Sequence, residues 1–369
     1  MPSLKLKPLI IGDLTAPIPI IQGGMGVGVS LSGLASAVAD EGGIGVIATA
    51  GIGMKEHDFY LNYQQSNIRA LRQEIRKARS SSKGIIGLNI MVVFTNYADL
   101  VITALEEEID IIFCGAGLPL VLPQFLNKNS KTKIAPIVSS GRAASLICKR
   151  WLSKYDYLPD AVVVEGPRAG GHLGFKIDQI FDPAYALEKL IPVVLEEISF
   201  YSNHYGKKIP VIAAGGIFTG GDIRTFMEMG ADGVQMGTRF VATHECDADM
   251  LFKQMYINAE LEDIVIINSP VGMPGRAIRN KFIDDVSSGV KMPIKCLYHC
   301  IITCDYKNSP YCIANALISA QKGRFGNGFA FAGANVYRVN EIISVKELFA
   351  KLMAEYEEAF KIQSVIASK

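Results

Sequence analysis

Short apolar runs bounded by glycine or proline alternate along this chain with amphipathic stretches whose apolar residues recur at three-and-four spacing. The first pattern predicts buried strands and the second predicts helices. Strands are predicted at residues 18–22, 45–48, 85–93, 110–114, 134–138, 161–165, 211–214 and 233–236. Helices are predicted between them, for example at residues 32–40, 97–107, 143–152, 184–200 and 221–229. This α/β alternation predicts a (β/α)8 TIM barrel.

The alternation stops between residues 246 and 329, where mixed helical patches, cysteines and glycine-rich connections replace it. Because barrel active sites lie where the strands end, an insertion directly after the last strand is expected to cover the mouth. Residues 344–359 predict a final helix, with Ser344 as its cap and Glu347 three residues on. The predicted organisation is therefore a barrel at residues 1–245, an inserted lid or substrate domain at 246–329, and a return segment with the final helix at 330–369.

Charge and hydropathy exclude several classes of protein. The 37 basic and 36 acidic residues give a net charge of +1, and without a dense basic stripe no nucleic-acid partner is expected. Every hydrophobic stretch is interrupted by glycine, proline or charge, so no membrane association is expected. The N-terminal MPSLKLKPLI lacks the long apolar core of a signal peptide, so a cytoplasmic location is expected. Seven cysteines do not indicate a secreted disulfide framework. A homodimer is the expected state on base rates.

Two consecutive strand ends in PVIAAGGIFTGGDIRTFMEMGADGVQMGTRF, residues 210–240, predict a site for one phosphate. Gly215 and Gly216 let the backbone approach a ligand, and residues 219–222 are expected to open a helix whose amides face the same point. Gly237 and Thr238 repeat the arrangement after the next strand, and phosphate bound after the last two strands recurs in such barrels. Two ordinary turns that need glycine for their geometry are the alternative.

Other strand ends are also rich in glycine, as in QGGMG at residues 22–26, CGAG at 114–117 and EGPRAGGH at 165–172. Small residues at several strand ends leave room for a broad, flat ligand bound by backbone amides, and an isoalloxazine ring has that shape. Together with the phosphate site, this flat space between the strand ends predicts FMN as the ligand rather than a sugar phosphate. A Rossmann dinucleotide site is not expected, since no early Gly-x-Gly-x-x-Gly turn opens a helix.

His172 is the strongest candidate for chemistry, because it follows small residues at a strand end and is expected to face the pocket. A near-neutral pKa suits histidine either to take a proton from a carbon acid or, when charged, to hold an anionic substrate. A structural histidine bonded to a nearby carbonyl is the alternative, and the local sequence does not decide between them.

The motifs IQGGMGVGVS, GLNIMV, GAGLP, EGPRAGGHLG, AAGGI and QMGTRF, in that order over residues 17–240, resemble the nitronate monooxygenase family, and GRAIRN and FAGANVYRV continue the match. Flavin-dependent enoyl-acyl-carrier-protein reductases share most of them. The resemblance implies an FMN-binding barrel with His172 as the catalytic residue near flavin N5. It also implies cofactor contacts from Gly24, Met25, Asn89, Gly171, Gly216, Gln235, Met236, Gly237 and Thr238.

The chain departs from the family pattern at three places. Glu165 stands where members often have glutamine, and Ala332-Gly333-Ala334-Asn335 replaces an Ala-Gly-Gln element, so Asn335 is the predicted substrate contact. No lysine ends a predicted strand, so backbone amides, His172 or Arg168 are expected to stabilise the anionic reduced flavin.

Four cysteines of the insertion, in CLYHCIITCDYKNSPYC, are Cys296, Cys300, Cys304 and Cys312. With His299 nearby they have the chemistry to hold zinc or an iron–sulfur cluster. Their spacing matches neither the usual zinc pairs nor the usual ferredoxin pattern, so reduced, packed cysteines are expected and no metal is predicted.

The leading functional hypothesis is the FMN-dependent oxidation of alkyl nitronates by O2, giving a carbonyl compound and nitrite. The alternative is an NAD(P)H-dependent enoyl-thioester reductase, such as an enoyl-acyl-carrier-protein reductase. In both, the partner is a small-molecule substrate. A third, non-redox class is a phosphate-binding barrel isomerase or synthase, which would carry no flavin.

Overall fold

The computed structural model of the chain describes residues 6–292 and 295–367. The first five residues of the N-terminal segment lie outside this part, as do residues 293–294 of the predicted insertion and residues 368–369 of the predicted return segment.

The strands of the described chain are named in chain order. They are β1 (Leu9–Ile11), β2 (Leu14–Ala16), β3 (Ile20–Gln22), β4 (Ile44–Ala48), β5 (Ile85–Met91), β6 (Ile111–Gly115), β7 (Lys133–Val138), β8 (Val162–Glu165), β9 (Gly171–His172), β10 (Val211–Ala214), β11 (Gly233–Met236), β12 (Ile264–Asn268) and β13 (Pro274–Ile278).

The helices are named in the same way. They are α1 (Ser32–Asp40), α2 (Tyr63–Ser81), α3 (Tyr97–Glu106), α4 (Gly141–Tyr155), α5 (Leu187–Tyr205), α6 (Gly220–Glu228), α7 (Thr238–Val241), α8 (Met250–Ile257), α9 (Lys281–Ser287), α10 (Ile313–Gln321) and α11 (Val345–Ala367).

The predicted TIM barrel is confirmed. Strands β3, β4, β5, β6, β7, β8, β10 and β11 form a closed barrel, which is completed where β11 pairs in parallel with β3. The predicted strands at residues 211–214 and 233–236 and the predicted helix at 32–40 coincide with β10, β11 and α1. The other barrel strands differ from their predicted bounds by one or two residues at either end.

Alternate residues of the barrel strands, such as Val46, Phe113 and Val163, pack into one apolar cluster that also contains Leu9 and Ile11 of the β1–β2 hairpin. The turn of this hairpin lies against Lys133, the first residue of β7. The hairpin therefore fills the amino-terminal end of the barrel. The carboxyl ends of the strands face the opposite side.

The final helix begins as predicted, at a reciprocal cap. Ser344 N donates to the Glu347 carboxylate at 2.8 Å, and Glu347 N donates to Ser344 Oγ at 3.1 Å. Helix α11 then packs along α6, where its Glu355 accepts a hydrogen bond from Gly220 N at 2.7 Å. This contact joins the C-terminal helix to the helix that follows β10.

Residues 246–329 form α8, α9 and α10 together with β12 and β13. The antiparallel pair β12–β13 adds β9 as a third strand, which places Gly275 opposite His172. Residues of this region, including Phe252, Phe282 and Ile313, belong to the same large apolar core as the outer faces of the barrel strands. Among the helices of the described ranges, none combines the length and the apolar character needed to cross a membrane.

Candidate active site

A cavity of about 350 Å³ lies at the carboxyl ends of the barrel strands. A volume of this size is within the usual range for small-molecule sites. The structure places every sequence-predicted site residue on its wall: Gly24, Met25, Asn89, Gly171, His172, Gly216, Gln235, Met236, Gly237, Thr238 and Asn335. The structure thus brings them together, while the role of each stays a prediction.

The two glycine turns after β10 and β11 are tied together by the segment that follows residue 329. Asn335 Nδ2 donates to the Gly216 carbonyl at 2.6 Å, and Gly333 N donates to Thr238 Oγ1 at 3.0 Å. Gly216 has φ +98°, and a Cβ at this position would lie 2.7 Å from the Cβ of Arg168. Only glycine fits this turn, which leaves backbone rather than side chain facing the cavity.

The expectation that residues 219–222 turn their free amides toward a phosphate is wrong. Phe218 N and Thr219 N both donate to the Asp222 carboxylate, at 2.9 and 2.8 Å, and Gly220 N is bound by Glu355. The negative charges at the start of α6 therefore belong to the protein itself. The remaining candidates for phosphate contact are the glycine turns.

Asn335, the predicted substrate contact, is buried at the cavity wall. Its Oδ1 accepts a hydrogen bond from Arg168 Nη2 at 3.0 Å, while its Nδ2 is bound to Gly216. Both polar ends of the side chain thus join parts of the protein. A direct contact with substrate stays a prediction.

His172 is held by residues distant in sequence. Its Nε2 lies 2.7 Å from Ser269 Oγ, and its ring meets the edge of Phe331 at a centroid distance of 4.9 Å. Burial lowers the pKa of His172 to about 4. The imidazole is therefore neutral at neutral pH, which favours the role of proton acceptor over that of a cation that holds an anion.

The sequence alone does not indicate Arg276, the buried side chain that supports the glycine–histidine segment. Its Nη1 donates to the carbonyls of Pro167 and Ala169, each at 2.6 Å. Burial, reinforced by the charge of Arg168, lowers the pKa of Arg276 to about 10, so it stays protonated at neutral pH. The GRAIRN motif, which begins on β13, includes Arg276 but does not show which groups its side chain contacts.

A family model described as nitronate monooxygenase matches residues 7–355. The chain belongs to the nitronate monooxygenase family. Members of this family are flavoproteins that generally depend on FMN, and the chain is an oxidoreductase of this type.

The chain is also similar to individual proteins. A probable nitronate monooxygenase from Staphylococcus saprophyticus is 26% identical over 306 residues, which cover 76% of this chain and 81% of that protein. A Mycobacterium tuberculosis protein, (3aS,4S,5R,7aS)-5-hydroxy-7a-methyl-1-oxo-octahydro-1H-indene-4-carboxyl-CoA dehydrogenase, is 30% identical over 271 residues, which cover 73% of this chain and 66% of that protein. The match thus spans slightly less than two thirds of the mycobacterial relative.

Two solved structures share the fold. FabK from Thermotoga maritima superposes with a TM-score of 0.72 at 26% identity, covering 95% of this chain and 96% of its own. Nitroalkane oxidase from Streptomyces ansochromogenes gives a TM-score of 0.71 at 22% identity, covering 94% of this chain and 98% of its own.

Glu165, where the family resemblance leads us to expect glutamine, places a carboxyl group at the cavity wall where β8 ends. Burial raises the pKa of Glu165 to about 7, well above the ordinary value of 4.5. The carboxyl group is therefore largely protonated below neutral pH and acquires its charge as the pH rises through about 7.

This raised pKa predicts how stability depends on pH. Between pH about 4.5 and 7 the folded protein holds a proton that the unfolded chain has released, so raising the pH through this window destabilises the fold. Replacing Glu165 by glutamine should remove that loss, which is on the order of 3 kcal/mol. We expect the melting temperature of the variant to exceed that of wild type more at pH 8 than at pH 5. The exposed Glu188→Gln variant serves as control, and identical pH dependence of all three proteins would contradict the prediction.

Proposed function

We propose that the chain binds FMN in this cavity and catalyses the oxidation of alkyl nitronates by O2 to a carbonyl compound and nitrite. The observation that carries the proposal is the meeting of two glycine turns and a neutral His172 around one cavity at the carboxyl ends of the strands. The family membership of the chain supports it.

The residues of the cavity fit a flavin mononucleotide. The Gly216 turn and the Gly237–Thr238 turn would hold the phosphate, and Gly24, Met25 and Asn89 would flank the ring. At Gly171, which has φ +79°, an added Cβ would meet no protein atom within 4 Å, so the space beside it is open for a ligand. Bound FMN would supply the electron-accepting chemistry of the reaction.

His172 would take the α-proton of a neutral nitroalkane, or accept a hydrogen bond during the turnover of the nitronate. Ser269 Oγ, 2.7 Å from Nε2, fixes the orientation of the imidazole ring. The aromatic side chain of Phe331 packs against the imidazole ring, with ring centroids 4.9 Å apart, and further limits its movement. Arg276 keeps the loop before His172 in place through the Pro167 and Ala169 carbonyls.

An NAD(P)H-dependent enoyl-thioester reductase, such as an enoyl-acyl-carrier-protein reductase, is the second candidate. Apolar side chains of α8 and α10, including Phe252, Ile313 and Leu317, form part of the cavity wall. Such a wall suits an acyl chain better than it suits a small nitronate. The mycobacterial relative is named for a carboxyl-CoA substrate, which favours the same class. In either case residues 246–329 would serve as the lid or substrate domain.

Anaerobic reduction separates the two candidates. The purified protein is mixed without oxygen with ethyl nitronate in one cuvette and with NADH or NADPH in others, and the visible flavin absorbance is followed. We expect ethyl nitronate to bleach the flavin and the reduced nucleotides to leave it unchanged. Bleaching by NADH or NADPH alone would establish the reductase class. Protein that is isolated without flavin and does not take up FMN would contradict both.

A further inference from the structure

A second cavity, of about 200 Å³, lies against residues 295–312, which we call the cysteine segment. It is lined by all four cysteines of this segment, Cys296, Cys300, Cys304 and Cys312. All four are free thiols. All four side chains are only partly buried, whereas free cysteines that act as small hydrophobes are among the most buried residues of a protein.

The cysteine segment is fixed to the barrel mouth by backbone hydrogen bonds. Thr95 N donates to the Cys300 carbonyl at 3.2 Å, and Ile302 N donates to the Val93 carbonyl at 2.9 Å. Stacking of Tyr298 on Tyr63, with ring centroids 4.3 Å apart, adds a side-chain contact. The position of the cavity is therefore set by the fold, and its wall residue Cys300 also borders the proposed flavin cavity.

Two residues on the wall of the cysteine cavity, His299 and Asn315, carry polar atoms in unusual settings. His299 has the left-handed φ of +42°, uncommon for a residue other than glycine, and its N–H donates to Cys296 Sγ at 3.3 Å. Within the described chain, His299 Nε2 and Asn315 Oδ1 are buried without a hydrogen-bond partner, and both residues line the cavity. Buried polar atoms of this kind normally have a partner, so each requires an explanation.

The positions of the four cysteines around the cavity favour a larger metal group over a single metal ion. Across residues 6–292 and 295–367, no three histidine, cysteine, aspartate or glutamate side chains converge closely enough to hold one metal ion. A zinc ion would draw four thiolates to about 2.3 Å from one centre. A cavity of about 200 Å³ with cysteines around its wall instead suits a polynuclear group that bridges them.

The fourth cysteine of the cavity wall, Cys312, lies at the N-cap of α10. The start of this helix therefore sets the position of Cys312 relative to the three cysteines that precede it in the loop.

We propose that the cysteine segment binds an iron–sulfur cluster through the Sγ atoms of Cys296, Cys300, Cys304 and Cys312. This replaces the prediction, made from the unusual cysteine spacing, that no metal is bound. A cluster site can be recognised from cysteine spacing only when its ligands belong to a familiar local motif. Here the loop and the start of α10 bring Cys312 to the same cavity as the other three cysteines.

The test is the metal content of the full-length protein, purified and reconstituted without oxygen with ferrous iron and sulfide. Iron, acid-labile sulfide, zinc and flavin are measured per chain, and the dithionite-reduced protein is examined by electron paramagnetic resonance. We expect iron and sulfide in equal amounts, about two to four of each. Cys300→Ser and Cys312→Ser should each lose most of both, whereas Cys148→Ser, which alters a buried cysteine of α4, should retain them.

Flavin content and melting temperature show whether each variant is folded, so loss of the cluster is separable from loss of the protein. The proposal is wrong if wild type takes up no sulfide after reconstitution, or if it holds one zinc per chain instead. The proposal is also wrong if folded Cys300→Ser and Cys312→Ser proteins hold as much iron and sulfide as wild type, since the cluster would then be bound elsewhere.

Discussion

Replacement of His172 by alanine is expected to leave the flavin bound and to lower turnover by about a hundredfold to ten-thousandfold. His172 lies on the two-residue strand β9, where its ring contacts Ser269 and Phe331. Removing the imidazole deletes the proton acceptor and leaves both glycine turns in place. Flavin content is read from the visible spectrum and turnover from nitrite release with ethyl nitronate, or from enoyl-thioester reduction if the reductase class applies.

Two comparisons make the His172 result specific. His204→Ala, which alters an exposed histidine of α5, should keep wild-type turnover. In a Glu165→Gln background, kcat/KM should stay flat across neutral pH and fall only as the pH approaches about 4, the lowered pKa of the buried imidazole. Full turnover by folded His172→Ala protein would show that the histidine is structural.

Replacement of Gly171 by alanine is expected to weaken FMN binding by at least about tenfold, equivalent to about 1.4 kcal/mol. An added methyl group at Gly171 meets no protein atom within 4 Å, so it extends into space that the cofactor should occupy. Gly171 has φ +79°, which costs an alanine about 1–2 kcal/mol of backbone strain whether or not a ligand is bound.

Gly206 provides a matched control for this backbone cost. It has φ +63° at the end of α5, and an added Cβ there also meets nothing within 4 Å. Gly171→Ala and Gly206→Ala should therefore lose similar stability as apo-proteins, and only Gly171→Ala should lose affinity when FMN is titrated into apo-protein by fluorescence. Equal affinity of the two variants would place the flavin away from Gly171.

The barrel was predictable because its signals are local. Strands β10 and β11 are short apolar runs that end at glycine, and helix α1 has a clear apolar face, so their bounds follow from the sequence pattern. The catalytic candidate His172 was predictable for the same reason, since it follows a run of small residues after β8.

The residues that hold His172 and its loop in position were not predictable, because they come from distant parts of the chain. Strand β9 exists only because β13 pairs with it, and nothing near His172 in sequence indicates Ser269 or Arg276. The amides at the start of α6 were assigned to a ligand because a helix N-terminus attracts anions in general. The acidic groups of Asp222 and Glu355 already occupy that position.

The bonds from Gly333 to Thr238 and from Asn335 to Gly216 bear on the biosynthesis of the enzyme. All eight barrel strands have left the ribosome well before residues 333–335 are translated, yet these residues complete the two turns proposed to hold the phosphate. The two turns are thus completed only by a segment that emerges well after the barrel strands. We therefore expect FMN to bind only to chains that have been translated past this segment.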